Sequence, residues 1–343
     1  MAISLFDTRT MLEAMPQLPL VRTFLRDTFF KNVRTFDTKA VDIDIKKGKR
    51  RVAAYVGPTD EGHRSERIGY TTYTYAPPYI KEKRGIEPKD VLFDRGMGQT
   101  IYASGGPQAR EAAMIREDLI ELDEMITRRE ELQASQAIFN GEIAFRDANE
   151  KVTFPVDTNH RVLTMSKYWD ESGGFPLDEL RAWRTMLIKN GGMAPNILLC
   201  GSEAIAALMG NVQVNGTDGA ISQVKIDRGQ ITPDNQPNGV TYWGFLRDIG
   251  CDVYSYDDWY IDPADGVEKP YVPAKYIMLG NTNARMDRLY GVIQDLSGLY
   301  AVPRFPKSWE EEDPSVRWMM MQSAPLMVPV AVDTYMIAKV VSG

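Results

Sequence analysis

Two histidines and two cysteines are the whole stock from which this sequence could build a nucleophile–base pair or a closed zinc site. Their placement supports neither. His63 lies in a polar, glycine-bearing stretch, GPTDEGHRSERIG, and His160 in a polar loop, TNHR. A Ser-His-Asp or Cys-His arrangement needs an imidazole beside a nucleophile, and no nucleophile elbow or related motif occurs. Cys200 ends the apolar run NILLCG and reads as a core residue, and Cys251 stands apart from it. Four N/S ligands in zinc-site spacing are absent, so a Cys/His zinc centre is excluded short of carboxylate ligands.

Other candidates fare no better. The run DIDIKKGK begins like a calcium loop at Asp42 and Asp44, then puts lysines where oxygen ligands belong. GMGQT (96–100) lacks the lysine and spacing of a phosphate-binding loop. The acidic groups Asp257-Asp258 and Glu310 to Asp313 could be carboxylate dyads, but such clusters in loops are ordinarily solvated. What remains is YIMLGNTNARMDRLYGVIQD (276–295), where a strand-like run meets GNTN and two arginines bracket a second apolar run. Gly280 and Asn281 suit a turn with positive φ. The charges fit a catalytic loop, a ligand site or a subunit contact.

The bulk composition narrows the classes. At 343 residues, with 43% hydrophobic and 25% charged, the chain is globular and large enough for two lobes. A net charge of −7 argues against nucleic-acid binding as the main task. KKGKRR (46–51) is the only compact basic run and reads as a solvated turn. The cysteine usage fits a reduced setting with no disulfide framework. MAISLFDTRTMLEAMPQ has charges at Asp7 and Arg9 and no apolar core, so no signal peptide is expected. The longest nearly uncharged run, 318–332, is too short to span a bilayer. A soluble protein made in the cytosol is expected, with no cofactor and no metal.

The elements that must position these residues can be read in outline. The first forty residues form an arm with a short helix. In VDIDIKKGKRRVAAYV a strand is expected on each side of a basic turn at Gly48, and TTYTYAPPYI reads as an edge strand ending at Pro77 and Pro78. Residues 51–89 thus look like a long two-stranded excursion, marginal unless it packs on something else. Pro107 opens and Asn140-Gly141 closes a helix of roughly thirty residues, about 50 Å long. Ile115, Leu119, Leu122 and Ile126 recur at spacings of four, three and four, an apolar stripe that weakens after Ile126. Charged residues, Asp118, Asp123, Glu130 and Glu131 among them, are assigned to the other faces. Residues 176–275 read as an α+β lobe: an amphipathic helix over 177–192, a buried strand over 196–201, a short helix capped at Ser202, then two more strands. The last fifty residues return to strand character.

Three ordered motifs close the chain. The first is Leu279-Gly280-Asn281-Thr282 with Ala284, Arg285, Arg288, Tyr290, Gly291, Ile293, Gln294 and Asp295. The second is Arg304, Phe305, Pro306, Lys307 and Trp309. The third is Met320 or Met321 with Gln322, Ser323, Ala324, Pro325, Leu326 and Met327. In type and order they resemble the LGNTxARxxRxYGxIQD, R[YF]PKxW and MxQSAPLM elements of the major capsid proteins of lambda-like tailed phages. The match is dense from Tyr276 to Met327 and weaker earlier, where YVGP at Tyr55, PPYIK and the long helix follow the family's order.

The resemblance implies an α+β Hong Kong 97-type capsid fold. Its expected plan is an N-terminal arm (1–38), a P domain (39–50 and 91–175, with a spine helix at 107–140), an E-loop hairpin (51–90), an A domain (176–275) and a return to the P domain (276–343). It implies a head protein, not an enzyme, that self-assembles into hexamers and pentamers of an icosahedral shell around double-stranded DNA and expands on maturation. The E-loop and arm are expected to lie across neighbouring subunits. Implied partners are other copies of the chain, with a scaffolding protein, portal and decoration protein as further candidates; DNA is enclosed without sequence-specific binding, and no membrane is involved. The implied location is the virion, after assembly in a bacterial host's cytoplasm. The motif residues then serve as contacts between domains or subunits, or as a salt-bridged hairpin within one chain. An encapsulin-type shell, a hydrolase in lobe 176–275 and a tail or decoration component stand as rivals.

Overall fold

The computed structural model describes residues 11, 23–45, 52, 53, 55, 61, 64, 69–87, 107–145, 151–215, 239–313 and 315–343. KKGKRR at 46–51, His63 and GMGQT at 96–100 lie outside them.

A one-and-a-half-turn helix, α1 (Leu25–Phe29), is followed by β1 (Asn32–Thr35) and β2 (Val41–Ile45). β2 pairs with β3 (Thr71–Tyr75), not with the stretch just past the basic turn: Val52, Ala53 and Tyr55 are exposed and belong to no strand. The excursion therefore leaves along β2 and returns along β3, and its hairpin base is about twenty-five residues across in sequence instead of six. The alternation in VDIDI and TTYTY fits this ladder, with Asp44 accepting from Thr72 Oγ1 (2.6 Å) and Asp42 from Thr74 Oγ1 (2.5 Å). After Pro77 and Pro78 the chain re-forms a strand, β4 (Ile80–Ile86).

Helix α2 runs Pro107–Ser135 and widens into a final turn over Gln136–Asn140, stopped by Gly141 in the left-handed region at φ 67°. Its 29 residues make a strut of about 44 Å. The stripe Ile115, Leu119, Leu122 and Ile126 is buried against Ile86, Met319 and Met321. Beyond Ile126 the helix is covered on several sides, so Glu130 and Glu131 are buried, contrary to their expected place on solvated faces.

Short strands β5 (Glu142–Ala144) and β6 (Lys151–Thr153) pair, and β7 (Arg161–Val162) follows. Helix α3 (Pro176–Gly191) opens on a proline and closes at Gly192, φ 79°. Then come β8 (Ile197–Cys200), α4 (Ser202–Gly210), β9 (Val240–Leu246), β10 (Cys251–Tyr256), the hairpin of β11 (Trp259–Ile261) with β12 (Glu268–Pro270), and β13 (Tyr276–Gly280). The C-terminal part supplies β14 (Met286–Tyr290), β15 (Ile293–Asp295), β16 (Gly298–Tyr300), β17 (Phe305–Glu312), β18 (Ser315–Ser323), β19 (Pro325–Pro329) and β20 (Met336–Lys339).

The sheets show how segment 276–343 is shared out. A six-stranded sheet has the order β7-β20-β13-β8-β10-β9, so β13 and β20 sit inside the lobe built from 176–275. β8 has neighbours on both sides and is apolar throughout, ILLC, as a central strand must be. A three-stranded sheet, β1-β14-β19, joins the arm to the C-terminal motifs, and a second, β17-β18-β4, joins them to the strand after β3. The expected return of the whole of 276–343 to the P domain is therefore not what the sheets show; its strands divide between the sheet of the 176–275 lobe and the sheets that hold β1 and β4.

Candidate functional site

The spacing of Asp123, Thr127 and Glu130 on α2 sets them on one face, about one turn apart. The Arg304 guanidinium is laid across that face. Its Nε donates to Asp123 Oδ1 (2.6 Å), Nη1 to Glu130 Oε1 (2.6 Å) and Nη2 to Thr127 Oγ1 (3.2 Å). Its planar fork of donors satisfies three acceptors at fixed angles, which a lysine could not do. Nη1 also reaches Ser323 Oγ (3.4 Å), and Ser323 donates to the Pro303 carbonyl (2.7 Å). The Tyr290 hydroxyl donates to Glu130 Oε1 (2.9 Å), and Arg26 Nη1 to Glu130 Oε2 (2.9 Å). Two of the terminal motifs and the arm thus converge on one buried carboxylate, and the third touches Arg304 through Ser323.

Burial alone would push the Glu130 carboxyl up; Arg304 and then Arg26 hold it below the ordinary carboxylate range. Its neighbour Glu131 has a different task. Its Oε1 accepts from the Phe24 and Leu25 amides (3.1 and 2.8 Å) and its Oε2 from the Arg26 amide (2.8 Å). Those are the unpaired donors that open α1, so a carboxylate from α2 caps the arm helix. Here burial outweighs the amides and raises the carboxyl to about 6.

The GNTN segment forms a second junction. Asn196, just before β8, donates from Nδ2 to Thr282 Oγ1 (2.9 Å) and accepts from the Thr282 amide at Oδ1 (2.9 Å). Asn281 Nδ2 donates to the Ala194 carbonyl (2.5 Å), and the Asn283 amide to Asn281 Oδ1 (2.8 Å). Gly280 ends strand β13 and is not among the positive-φ glycines. What favours glycine there is proximity: a Cβ would lie 3.0 Å from the Tyr335 Cβ and 3.1 Å from the Met278 Cε. The two arginines then part. Arg285, just before β14, pairs with Asp287 (3.0 Å) on that strand, while Arg288 points at Asp27 of the arm (3.7 Å).

A third junction ties the motifs to the base of the β2–β3 excursion. Gly291 packs against Pro77, where a Cβ would come within 2.4 Å of the ring Cγ. The Gln294 amide donates to the Tyr79 hydroxyl (2.6 Å). Asp295 pairs with Lys307 (2.5 Å), which holds its carboxyl down at about 2. Trp309 stacks on Trp318 across β17–β18 at 6.5 Å, and the Lys83 ammonium from β4 lies 4.5 Å over the Trp318 ring. Pro306, Gln322 and Pro325 are buried within these strands.

The motif residues are therefore brought into three junctions, not one site. Sequence reasoning missed Glu130, Glu131, Asp123, Thr127, Arg26 and Asn196. One signal was present: four positions past Ile126 the stripe's own register lands on Glu130, so a carboxylate stands where an apolar residue is due.

None of this assembles reaction chemistry. His160 is buried, not looped into solvent; its Nδ1 lies 3.1 Å from the Tyr335 carbonyl and its Nε2 3.0 Å from Asn190 Nδ2, so both ring nitrogens are engaged. Cys200 and Cys251 are buried free thiols, pushed up by burial, Cys251 to about 12. Glu310 and Glu311 are taken by Arg317 and by Trp318 Nε1. Among the described residues no His/Cys/Asp/Glu group could hold a metal ion, and no helix is long and apolar enough to cross a membrane.

Comparison with known proteins agrees with this structural character. The family model for phage major capsid protein E matches residues 7–340. The chain is 29% identical to the major capsid protein of Enterobacteria phage P21, over 98% of this chain and 100% of that one. It is 27% identical to the major capsid protein of Escherichia phage lambda, over 97% and 98%. Among solved structures, a protein described as a prophage capsid protein from E. coli CFT073 superposes with a TM-score of 0.74 at 20% identity, covering 99% of this chain and 100% of that one. The capsid protein of cyanophage A-1(L) shares the fold at a TM-score of 0.51 and 13% identity, over 92% of each chain.

Proposed function

This chain belongs to the phage major capsid protein E family, and on that premise we propose that its copies assemble into hexamers and pentamers of an icosahedral shell around double-stranded DNA. It is a structural protein of a phage capsid, not an enzyme. The observation that carries the reading is the family match over nearly the whole chain, 7–340. The fold supports it with a long strut and an excursion whose base is seated in the core through Ile43 and Tyr75 while Val52, Tyr55 and Tyr70 are exposed.

In this reading residues 1–38 are the arm, 51–90 the E-loop and 107–140 the spine helix. The axial A domain comprises the 176–275 lobe extended by β13 and β20, because those strands complete its sheet. The E-loop lies across neighbouring subunits and adds interface area that the compact lobes lack, whereas the described part of the arm, 23–36, packs on its own chain through β1 and Arg26. The same faces serve five- and sixfold rings at slightly different angles. The net charge of −7 suits a wall that packaged DNA must not adhere to. Expansion of a rounded precursor shell would re-pair the E-loop while the junctions at Glu130, which hold Arg26 of the arm, and at Asn196 stay closed. A scaffolding protein, a portal and a decoration protein are the further partners, and assembly takes place in the bacterial host's cytoplasm before the protein becomes part of the virion.

The test is expression alone and with the neighbouring genes, followed by negative-stain electron microscopy. Rings of five or six subunits, tubes or closed shells are expected. A uniformly monomeric product under both conditions would overturn the proposal.

A further inference from the structure

The carboxyl that caps the arm helix is joined through one hydroxyl to the base of a separate hairpin. Glu131 is 1% exposed, and its two oxygens accept the Phe24, Leu25 and Arg26 amides. Its side chain also hydrogen-bonds the hydroxyl of Tyr256, the last residue of β10. The same hydroxyl lies 3.3 Å from Asp258 Oδ2. Asp258 in turn holds both ends of the β11–β12 hairpin: its Oδ1 accepts the Trp259 amide (2.9 Å) and its carbonyl the Tyr271 amide (3.0 Å).

The charged groups around Glu131 are already engaged. From α1 the Arg26 guanidinium is turned to Asp27 and Glu130. From α2 the neighbour is Glu130, itself a carboxylate, and after β12 Tyr271 donates its hydroxyl to the Arg128 carbonyl. Burial therefore prevails, and it raises the Glu131 carboxyl from 4.5 to about 6 against the amides, Tyr256 and the charge on Arg26.

Two hydrogen-bond arrangements follow from one proton. An ionised Glu131 only accepts, so Tyr256 donates to it and not to Asp258. A neutral Glu131 must place its own proton; the three amides are donors and cannot take it, whereas the Tyr256 oxygen can. Tyr256 then turns its hydrogen to Asp258. We propose that Glu131 and Tyr256 form a proton-driven latch: a proton taken up at Glu131 seats α1 and, through the Tyr256 hydroxyl, fastens the base of the β11–β12 hairpin. The closed form buries the carboxyl and the open form exposes it, so closing takes up a proton. The contribution of the latch is fully present below about pH 4.5 and lost as pH rises through about 6. Arm and hairpin loosen together, which couples two separate sites.

Hydrogen exchange of the full chain, read by mass spectrometry and corrected for the intrinsic base-catalysed rate, tests both halves. Between pH 5 and 7.5 the opening of the Phe24–Arg26 amides is expected to rise about eightfold. Opening of the Trp259 and Tyr271 amides is expected to rise in the same window, with the buried strand β8 as an unchanging reference. In Glu131→Gln both responses should vanish. In Tyr256→Phe, which keeps the carboxyl, the arm response should persist and the hairpin response vanish. A wild-type arm whose opening ignores pH overturns the latch, as does an undiminished response in Glu131→Gln. A hairpin that still follows pH in Tyr256→Phe overturns the relay. So does a Tyr256→Phe chain in which both segments loosen equally at both pH values, as loss of a purely structural tyrosine would cause. The wild-type and Tyr256→Phe measurements decide the proposal even where Glu131→Gln does not fold.

Discussion

Arg304 Nη1 lies 2.6 Å from Glu130 Oε1, joining residues 174 positions apart. The contact fastens the loop before β17 to the C-terminal part of the long helix, and Arg26 and Tyr290 close on the same carboxylate from the arm and from β14. A buried carboxylate held by two guanidiniums is a poor source of net stability but a strong constraint on which parts may sit together. In a shell subunit that constraint keeps the body rigid while its extensions move.

Removing one partner should therefore cost far more than an exposed ion pair. Arg304→Ala leaves Glu130 buried with one cation fewer, and a loss of about 3–5 kcal/mol in unfolding free energy is expected. Arg304→Lys should recover only part of it, since one ammonium cannot meet Asp123, Thr127 and Glu130 together. Urea denaturation of the dissociated subunit measures both; a loss below about 1 kcal/mol for the alanine variant would show the network to be incidental.

Glu131 yields a pH signature of opposite sign to that of Glu130. Its carboxyl is raised from 4.5 to about 6 in the fold, chiefly by burial. The neutral form is favoured in the folded state, so this group's contribution is fully present below about 4.5 and lost as pH rises through about 6. Glu130, held low, contributes above the unfolded value and is lost only as pH falls through its own depressed value. Relative to Glu131→Gln, the wild type should gain about 2 kcal/mol between pH 7.5 and 4.5. Paired denaturation curves at the two pH values give that difference, and a variant with an unchanged pH profile would refute it.

Gly291 should not accept even alanine. A Cβ would sit 2.4 Å from the Pro77 ring, so the base of the excursion must shift. Overpacking of this kind costs about 1–3 kcal/mol. Gly291→Ala is expected to lower the melting temperature, and Gly291→Ala with Pro77→Ala to recover part of it. No recovery would show that the strain lies elsewhere.

The thiols should be silent. Cys200 and Cys251 are buried and raised, burial outweighing the pull of Arg184 on Cys251. Maleimide labelling of native protein is expected to be negligible, and two thiols should react after denaturation. Rapid labelling of the folded chain would reopen Cys200 as a reactive group.

What the sequence determined by itself is local. Pro107 and Gly141 bound the helix because proline starts and left-handed glycine stops a helix through their own backbone geometry. ILLC is a central strand because only a strand covered on both faces can be apolar at every position. The terminal motifs named the family because their order and spacing survive without knowledge of their contacts. The tertiary structure alone decided the rest. Whether Glu130 faced water or a guanidinium depended on Arg304 arriving from 174 residues away. Val41–Ile45 pairs with Thr71–Tyr75 although a nearer stretch offered the same alternation, because register is chosen by the body on which the ladder packs. Gly280 proved a point of close approach to Tyr335 instead of a turn, and β13 joined the sheet of β8. Propensity and capping act over a few residues; charge pairing and strand partnership are set by which surfaces meet, and those are properties of the folded body.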